Sequence, residues 1–378
     1  MRPKFEEGGK LHAFHSLFDA MDTFFYTPEQ TTVSGCHIRD AVDNKRTMFT
    51  VVIALMPALL FGMYNIGYQH YLSLGQVSCY CDNFWGNLGY GFLKILPMLL
   101  VSYIVGLGIE CIFAQIRKHE VSEGYFVTGM LIPLICPPDV PLWQLAIAVA
   151  FAVIIGKEVF GGTGYNFLNP ALVARAFLFF SYPSQMSGDN VWIAEQGDAI
   201  SGATPLGEML AGGITPHASA LEMFLGFIPG SVGETSVVAI LIGAVILLVT
   251  GIASWRIMLS IFAGGAAMGL VFNMIGANPY MEMPFYYHFL IGGFMFGAVF
   301  MATDPVTAAQ TNIGKYIYGA LIGIMAVLIR VLNPAYPEGM MLSILLLNVF
   351  APLIDYYVVE ANIRRRAKRT KLLAKNNQ

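Results

Sequence analysis

Phe167-Leu168-Asn169-Pro170-Ala171 is echoed 164 residues later by Val331-Leu332-Asn333-Pro334-Ala335. A second marker keeps nearly the same register: the aspartate of Pro138-Asp139-Val140 returns in Asp304-Pro305-Val306, an offset of 165. Asn-Pro is also a common way to start a helix, so chance is the competing reading of the echo. What lies around the two copies decides between them. Apolar runs flank both. They predict spans at 47–67, 89–116, 123–136, 141–160 and 167–182, then at 235–251, 255–276, 288–303, 313–332 and 339–359. That is five on each side of a polar stretch. The segment 123–136 is short for a hydrocarbon core of about 30 Å, which points to a broken or re-entrant helix, and 288–303 is also short.

Composition agrees with a membrane protein. Of 378 residues, 56% are hydrophobic and 12% charged, and the mean hydropathy is +0.62; an average soluble domain carries about 25% charged residues. The charges are segregated by loop. With the N-terminus inside, Lys45, Arg46, Arg117, Lys118, Lys157, Arg256, Lys315 and the tail Arg364-Arg365-Arg366-Ala367-Lys368-Arg369 all fall on the cytoplasmic face, as the positive-inside rule requires. The connections 68–88, 137–140, 183–234 and 277–287 hold no Lys or Arg. The longest of them holds six acids, Asp189, Glu195, Asp198, Glu208, Glu222 and Glu234.

The expected architecture is therefore an all-α integral membrane protein of about ten transmembrane helices, built as two inverted five-helix repeats with both termini cytoplasmic. Its parts are a cytoplasmic N-terminal segment 1–46, a first membrane repeat 47–182, an extracytoplasmic loop 183–234, a second repeat 235–359 and a basic tail 360–378. No removable signal peptide is visible at the N-terminus. Phe24-Phe25-Tyr26, followed by Pro28, suggests a short interfacial helix. Inversion places Asn169 and Asp304 on the inner half, and Asp139 and Asn333 on the outer. In such repeats, ligand and ion sites lie at the repeat interface.

Ionisable groups inside spans are costly and few. Glu110 and Asp355, both toward cytoplasmic helix ends, suit a cation entrance built from oxygen ligands; snorkelling to the interface or contact with a neighbouring subunit is the alternative for each. Arg175 has no interface to reach, and Asp304, Glu158, a bound anion and backbone carbonyls are its candidate partners. The glycine-rich connection from Gly156 to Pro170 lets backbone approach a planar ligand, or forms a tight membrane hairpin; it lacks a nucleotide fingerprint. Gly264-Gly265 to Gly269 and Gly292-Gly293 to Gly297 read as helix-packing faces. Glu123-Gly124-Tyr125-Phe126 opens the short third helix near the N-terminal aromatics, and makes either a cleft for a lipophilic ring or an ordinary aromatic belt. The five cysteines (Cys36, Cys79, Cys81, Cys111 and Cys136) show no metal-ligand spacing. They are unpaired thiols, or ligands of a cluster shared with another subunit.

Three motifs carry a resemblance: His37-Ile-Arg39-Asp40-Ala-Val-Asp43-Asn-Lys45-Arg46, Asn169-Pro170-Ala171, and Asp198-Ala-Ile-Ser201-Gly202-Ala203-Thr204. Over nearly its whole length the chain resembles the family that comprises the B subunit of the Na+-translocating NADH:quinone oxidoreductase and the D subunit of the Rnf complex. The last motif resembles a flavinylation signature. The resemblance implies FMN bound covalently to Thr204 through a phosphoester, with Asp198, Ser201, Gly202 and Ala203 in the motif, attached by a flavin transferase on the outer side of the bacterial inner membrane. It also implies a non-covalent riboflavin, placed at Asn166, Asn169 and Asp304, and a quinone site, placed at Gly106, Glu110, Glu123, Gly124, Tyr125 and Phe126. Na+ would pass by Glu110 and Asp355.

The implied partners are the other five subunits (A, C, D, E and F), which supply NADH oxidation, FAD and iron–sulfur centres, together with quinone and the lipid membrane, and no nucleic acid. The N-terminal segment is shorter than the family's usual one. Two rival readings are a ferredoxin-linked Rnf-type subunit and a cofactor-free channel or transporter on the same repeat.

Overall fold

A computed structural model describes residues 18, 32–38, 43–76, 79–80, 82–117, 124–195, 202–210, 218–333 and 338–376. Among these residues there are helices and no strands. Nine helices have twelve or more residues: α1 (Asn44–Ser73), α2 (Phe84–Arg117), α3 (Gly124–Ile135), α4 (Leu142–Gly156), α5 (Pro170–Ser181), α6 (Val237–Val249), α7 (Trp255–Ile275), α8 (Asn312–Leu332) and α9 (Gly339–Asn376). Six helices among the described residues are long and apolar enough to cross a membrane, and α3, α5 and α6 are shorter apolar helices. At 1.5 Å per residue, the twelve residues of α3 reach only about 18 Å.

The surface of α2 shows why water is the wrong solvent for this bundle. Its buried residues, Asn87, Gly91, Ile95, Met98, Ser102, Gly106, Glu110 and Ala114, recur every three or four positions and form one narrow stripe. The opposite face is apolar too, with Ile104 and Ile116 69% and 73% exposed. A helix apolar all round needs lipid or protein on its free face.

The segment 288–303, expected as one short span, is broken. A turn of helix at Tyr287–Leu290 stops at Ile291; Gly292 takes φ +67°, which only glycine adopts freely; and the chain resumes through Phe294–Phe296 into a π-helical turn at Gly297–Met301. The Gly292-Gly293 pair therefore marks a break rather than a packing face. A Cβ on Gly293 would lie 2.6 Å from the Glu234 carboxylate. The other glycine run does pack helices. A Cβ on Gly264 would meet the Ala320 carbonyl oxygen at 2.3 Å, and one on Gly323 would meet that of Ile261 at 2.1 Å, so α7 and α8 touch backbone to backbone. Gly323→Val is expected to push the pair apart and cost about 1–3 kcal/mol, read as a lower unfolding temperature of the detergent-solubilised protein. Gly108→Ala, which enters open space, should leave it unchanged.

Two other expectations shift. Asn333 closes α8, its N–H bonded to the Ile329 carbonyl, and α9 begins only at Gly339; Asn169, by contrast, caps α5 directly. Helix α9 also runs without interruption through the boundary expected at 359.

The packing fixes two ends. The start of α1 (Lys45, Arg46), the end of α2 (Arg117), the starts of α7 (Arg256) and α8 (Lys315), and the extension of α9 share one end. There Arg256 donates to the Asn312 side chain at 3.1 Å, and Asp355 of α9 holds the turn before α8. We call this the basic end. The far end carries Asp139, Glu195 and Glu222, with Lys94 paired to Asp139 at 3.3 Å and to Glu195 at 2.8 Å. The Lys94 ammonium and the Tyr90 hydroxyl hold Glu195 below the usual carboxylate range.

Candidate functional site

Helices α5 and α6 each run between two cavities. Pro170, at the start of α5, and Leu247, near the end of α6, line a cavity at the basic end. Phe179, near the end of α5, and Thr235, just before α6, line one at the far end. Twelve residues separate Thr235 from Leu247, so the cavities lie about 18 Å apart along α6.

The far-end cavity, of about 250 Å³, is walled by Asp189, Trp192, Thr204, Pro205, Ser231, Glu234, Thr235, Gly292 and Glu338 among others. Thr204 is half-buried and precedes a six-residue helix, Pro205–Leu210. Its Oγ1 accepts from the Gly207 N–H at 3.2 Å and its carbonyl from the Glu208 N–H at 2.9 Å. This is ordinary helix capping, and it holds the hydroxyl on the cavity wall. The buried Thr235 Oγ1 on the same wall has no hydrogen-bond partner, and a polar ligand group would satisfy it.

Behind that wall lies Arg175. The sequence offered Asp304 or Glu158 as partners, and the structure gives neither. The guanidinium donates to Glu234 at 2.9 Å, to Glu338, and to the Ser231 hydroxyl at 3.4 Å. Glu158 belongs instead to Arg117, which donates to its carbonyl at 2.7 Å. Arg330, fully buried nearby, donates to the His288 and Ile291 carbonyls at 2.7 and 3.2 Å. Those carbonyls are exposed by the break at Gly292, so Arg330 satisfies backbone that a continuous helix would have satisfied itself.

The basic-end cavity is smaller, about 80 Å³, and brings together Asn166, Asn169, Asp304, Gly124 and Lys157, with Thr47 and Met48 of α1. Asn169 and Asp304, which the repeat puts on one half, thus meet in space, with Asn166 beside them. Each also has local work. Asn169 Oδ1 accepts from the Ala171 N–H at 3.0 Å, Asn166 bridges Gly164 and Leu168, and Asp304 accepts from the Val306 N–H at 3.2 Å and the Thr307 hydroxyl at 2.9 Å.

Glu110 neither snorkels nor faces water. It is 2% exposed and ion-paired with Lys157, 3% exposed; the sequence had counted Lys157 as a loop charge marking the cytoplasmic face. Tyr125 lies beside them, its hydroxyl donating to the Ser102 carbonyl at 2.8 Å. Gly106 makes room for it, since a Cβ there would sit 1.8 Å from the Tyr125 ring. Gly106, Glu110, Gly124 and Tyr125 are thereby one neighbourhood, with Phe126 at its edge accepting from the Tyr103 hydroxyl at 2.8 Å. Asp355 lies elsewhere. It accepts from the Gln310 and Thr311 N–H groups at 2.6 and 3.0 Å and from the Thr311 hydroxyl at 2.5 Å, so its oxygens are spent on the start of α8. Asp355→Ala is accordingly expected to cost about 1 kcal/mol through the lost cap, read as a lower unfolding temperature.

The profile of the NQR2, RnfD, RnfE family matches residues 31–364. The chain belongs to this family. It is 51% identical over 390 residues to the B subunit of the Na(+)-translocating NADH-quinone reductase of Ectopseudomonas mendocina (strain ymp), covering 97% of this chain and 96% of that one. It is 50% identical to the corresponding subunit of Chromohalobacter salexigens (98% and 95% covered) and 49% identical to that of Azotobacter vinelandii (97% and 96%). Those relatives are subunits of an enzyme complex.

In this member of the NQR2, RnfD, RnfE family, Asp198, Ser201, Glu123 and the Phe24-Phe25-Tyr26 cluster lie outside the described residues, as do Cys81 and the Pro334-Ala335 copy of the repeat. Gly202 is buried and Ala203 half-buried, next to Thr204. Cys36, Cys79, Cys111 and Cys136 are unpaired, and among the described residues no three His, Cys, Asp or Glu side chains converge as a metal site. Sequence reasoning missed Lys157, Glu338 and Arg330. Glu338 alone left a signal, an acid directly before a helix start.

Proposed function

We propose that this chain is the membrane subunit of a bacterial Na+-translocating NADH:quinone reductase that carries FMN on Thr204, holds riboflavin at the basic end and delivers electrons to quinone there, coupled to Na+ export. The observation that carries this reading is the position of the Thr204 hydroxyl on the wall of the roomy far-end cavity. The orphaned Thr235 hydroxyl on the same wall awaits a partner. Trp192 offers an aromatic face and Ser231 a polar group to a ring held there. Two flavins, when bound, supply one-electron and two-electron transfer between the outer face and the quinone.

Asn166, Asn169 and Thr303 provide the polar edge of the basic-end cavity, and Leu247 and Phe300 its apolar faces. At about 80 Å³ it accepts a three-ring flavin only when its lining side chains move apart. The quinone is assigned to Gly106, Glu110, Gly124 and Tyr125, with Glu123 and Phe126. Na+ export against a membrane potential costs about 2.3 kcal/mol per charge per 100 mV, which the redox drop from NADH to quinone supplies.

The architecture in this proposal is ten passages in two inverted halves, the basic end cytoplasmic and the Thr204 loop on the outer side. Two kinds of contact support it. Contacts of α2 with α4 and of α4 with α5 correspond to those of α7 with α8 and of α8 with α9. Across the halves, α1 touches α6 and α5 touches α9, each element meeting its counterpart as a two-fold axis requires. The remaining subunits, A and C to F, and a flavin transferase complete the assembly.

Acid extraction of the purified complex tests the second cofactor. We expect riboflavin, without phosphate, in a 1:1 ratio with this chain. A complex that turns over but yields none contradicts the assignment.

A further inference from the structure

The buried pair of Lys157 and Glu110 has no evident structural purpose. A buried ion pair is a poor stabiliser beside well-packed apolar side chains of the same volume, and the surrounding helices are rich in those. Its position is more telling. Lys157 follows the last turn of α4 and lines the basic-end cavity. Its ammonium also reaches Glu110 in the middle of the quinone neighbourhood and lies 5.9 Å from the Tyr125 ring centroid. It is therefore the one ammonium among the described residues that touches both places. The neighbouring acid, Glu158, is held by Arg117, which leaves Glu110 as the carboxylate of Lys157.

Quinone reduction consumes protons as well as electrons. An ammonium has three donor hydrogens and, when buried, gives one up readily, which an arginine does not. We propose that Lys157 is the proton donor for quinone reduction, and that Glu110 holds its ammonium in place. For each electron that reaches the quinone, Lys157 Nζ releases one proton to a quinone oxygen, an O–H bond forms as an N–H bond breaks, and the neutral amine takes a replacement from the aqueous phase at the basic end through the cavity that Lys157 lines. Two such rounds, with two electrons from NADH, convert a quinone to a quinol. Among the described residues, Cys111 and Tyr125 lie beside the pair and Asp304 shares the cavity with Lys157. This inference rests on the proposed reduction of quinone at the basic end.

The test uses the assembled complex. Lys157→Arg keeps the charge and the pairing with Glu110 but holds its proton at any working pH. We expect quinone reduction to fall roughly 100-fold and to lose its pH dependence, with covalent flavin on Thr204 unchanged. A native rate and pH profile in this variant would overturn the proposal. If the larger guanidinium prevents assembly, the double variant Lys157→Met, Glu110→Gln, which packs neutral side chains of similar size, decides: it should assemble and turn over slowly, whereas native turnover overturns the proposal. A photoreactive short-chain quinone separates this from the reading beneath it. Labelling of the Gly106–Tyr125 neighbourhood together with native rates sinks only the Lys157 assignment; labelling confined to another subunit sinks the quinone site itself.

Discussion

Thr204→Ala is expected to abolish the flavin fluorescence of the denatured chain, and Thr204→Ser to retain it. That is the expected result if the flavin is esterified to this hydroxyl, because serine offers the same oxygen and alanine none. The size of the effect separates chemistry from folding. As the cap of a six-residue helix, Thr204 contributes about 1 kcal/mol through its bond with the Gly207 N–H, too little to unfold a bundle this large. The alanine variant should therefore assemble with its partners and insert normally, while quinone reduction by the complex drops to background. An alanine variant that keeps both fluorescence and activity would mean that the hydroxyl is only a cap. One that loses assembly as well would place the importance of Thr204 in the loop rather than the cofactor, and the serine variant distinguishes the two.

The second large effect is expected at Arg175. Its guanidinium lies between Glu234 and Glu338, with side chains 4%, 9% and 22% exposed. Removing one partner of a buried pair typically costs about 3–5 kcal/mol, because the carboxylates left behind keep little water and only Arg330 as a counter-charge. Arg175→Met should lower the unfolding temperature and the yield of assembled complex sharply. Both carboxylates also wall the Thr204 cavity, so covalent flavin per chain should fall with them. Adding Glu234→Gln and Glu338→Gln, which removes the stranded charges, should restore most of the stability. Lys94→Ala, which breaks the more exposed pairs with Asp139 and Glu195, is the control and should cost about 1 kcal/mol. A stable Arg175→Met protein would show that the cluster is hydrated and that its charges are screened.

These residues mark where sequence reading succeeds and where it stops. Hydropathy runs set by lipid solvation are local, so the helical class and the positions of α1, α2, α7 and α8 were legible. The near-equal offsets, 164 from Asn169 to Asn333 and 165 from Asp139 to Asp304, were also legible, and Asn169 and Asp304, expected on the same half, line one cavity. The partners of Arg175 were not, because they lie 59 and 163 residues away and no periodicity links them. The partner of Lys157 was hidden for a related reason. A lysine after an apolar helix looks the same whether it faces water or turns back to a buried glutamate. The break at Gly292 was hidden because a glycine pair in an apolar run serves close packing and a left-handed turn equally well, and only the neighbours, Glu234 against Gly293 and Arg330 on the freed carbonyls, decide which.

The loop that carries Thr204 also carries the central claim, and one measurement reaches it directly. Mass spectrometry of the peptide containing Thr204, taken from the native complex without mutation, should show an added mass of one flavin mononucleotide less one water, with fragment ions placing it on Thr204. An unmodified peptide from an active complex, or the same mass found on a different residue, would contradict the account.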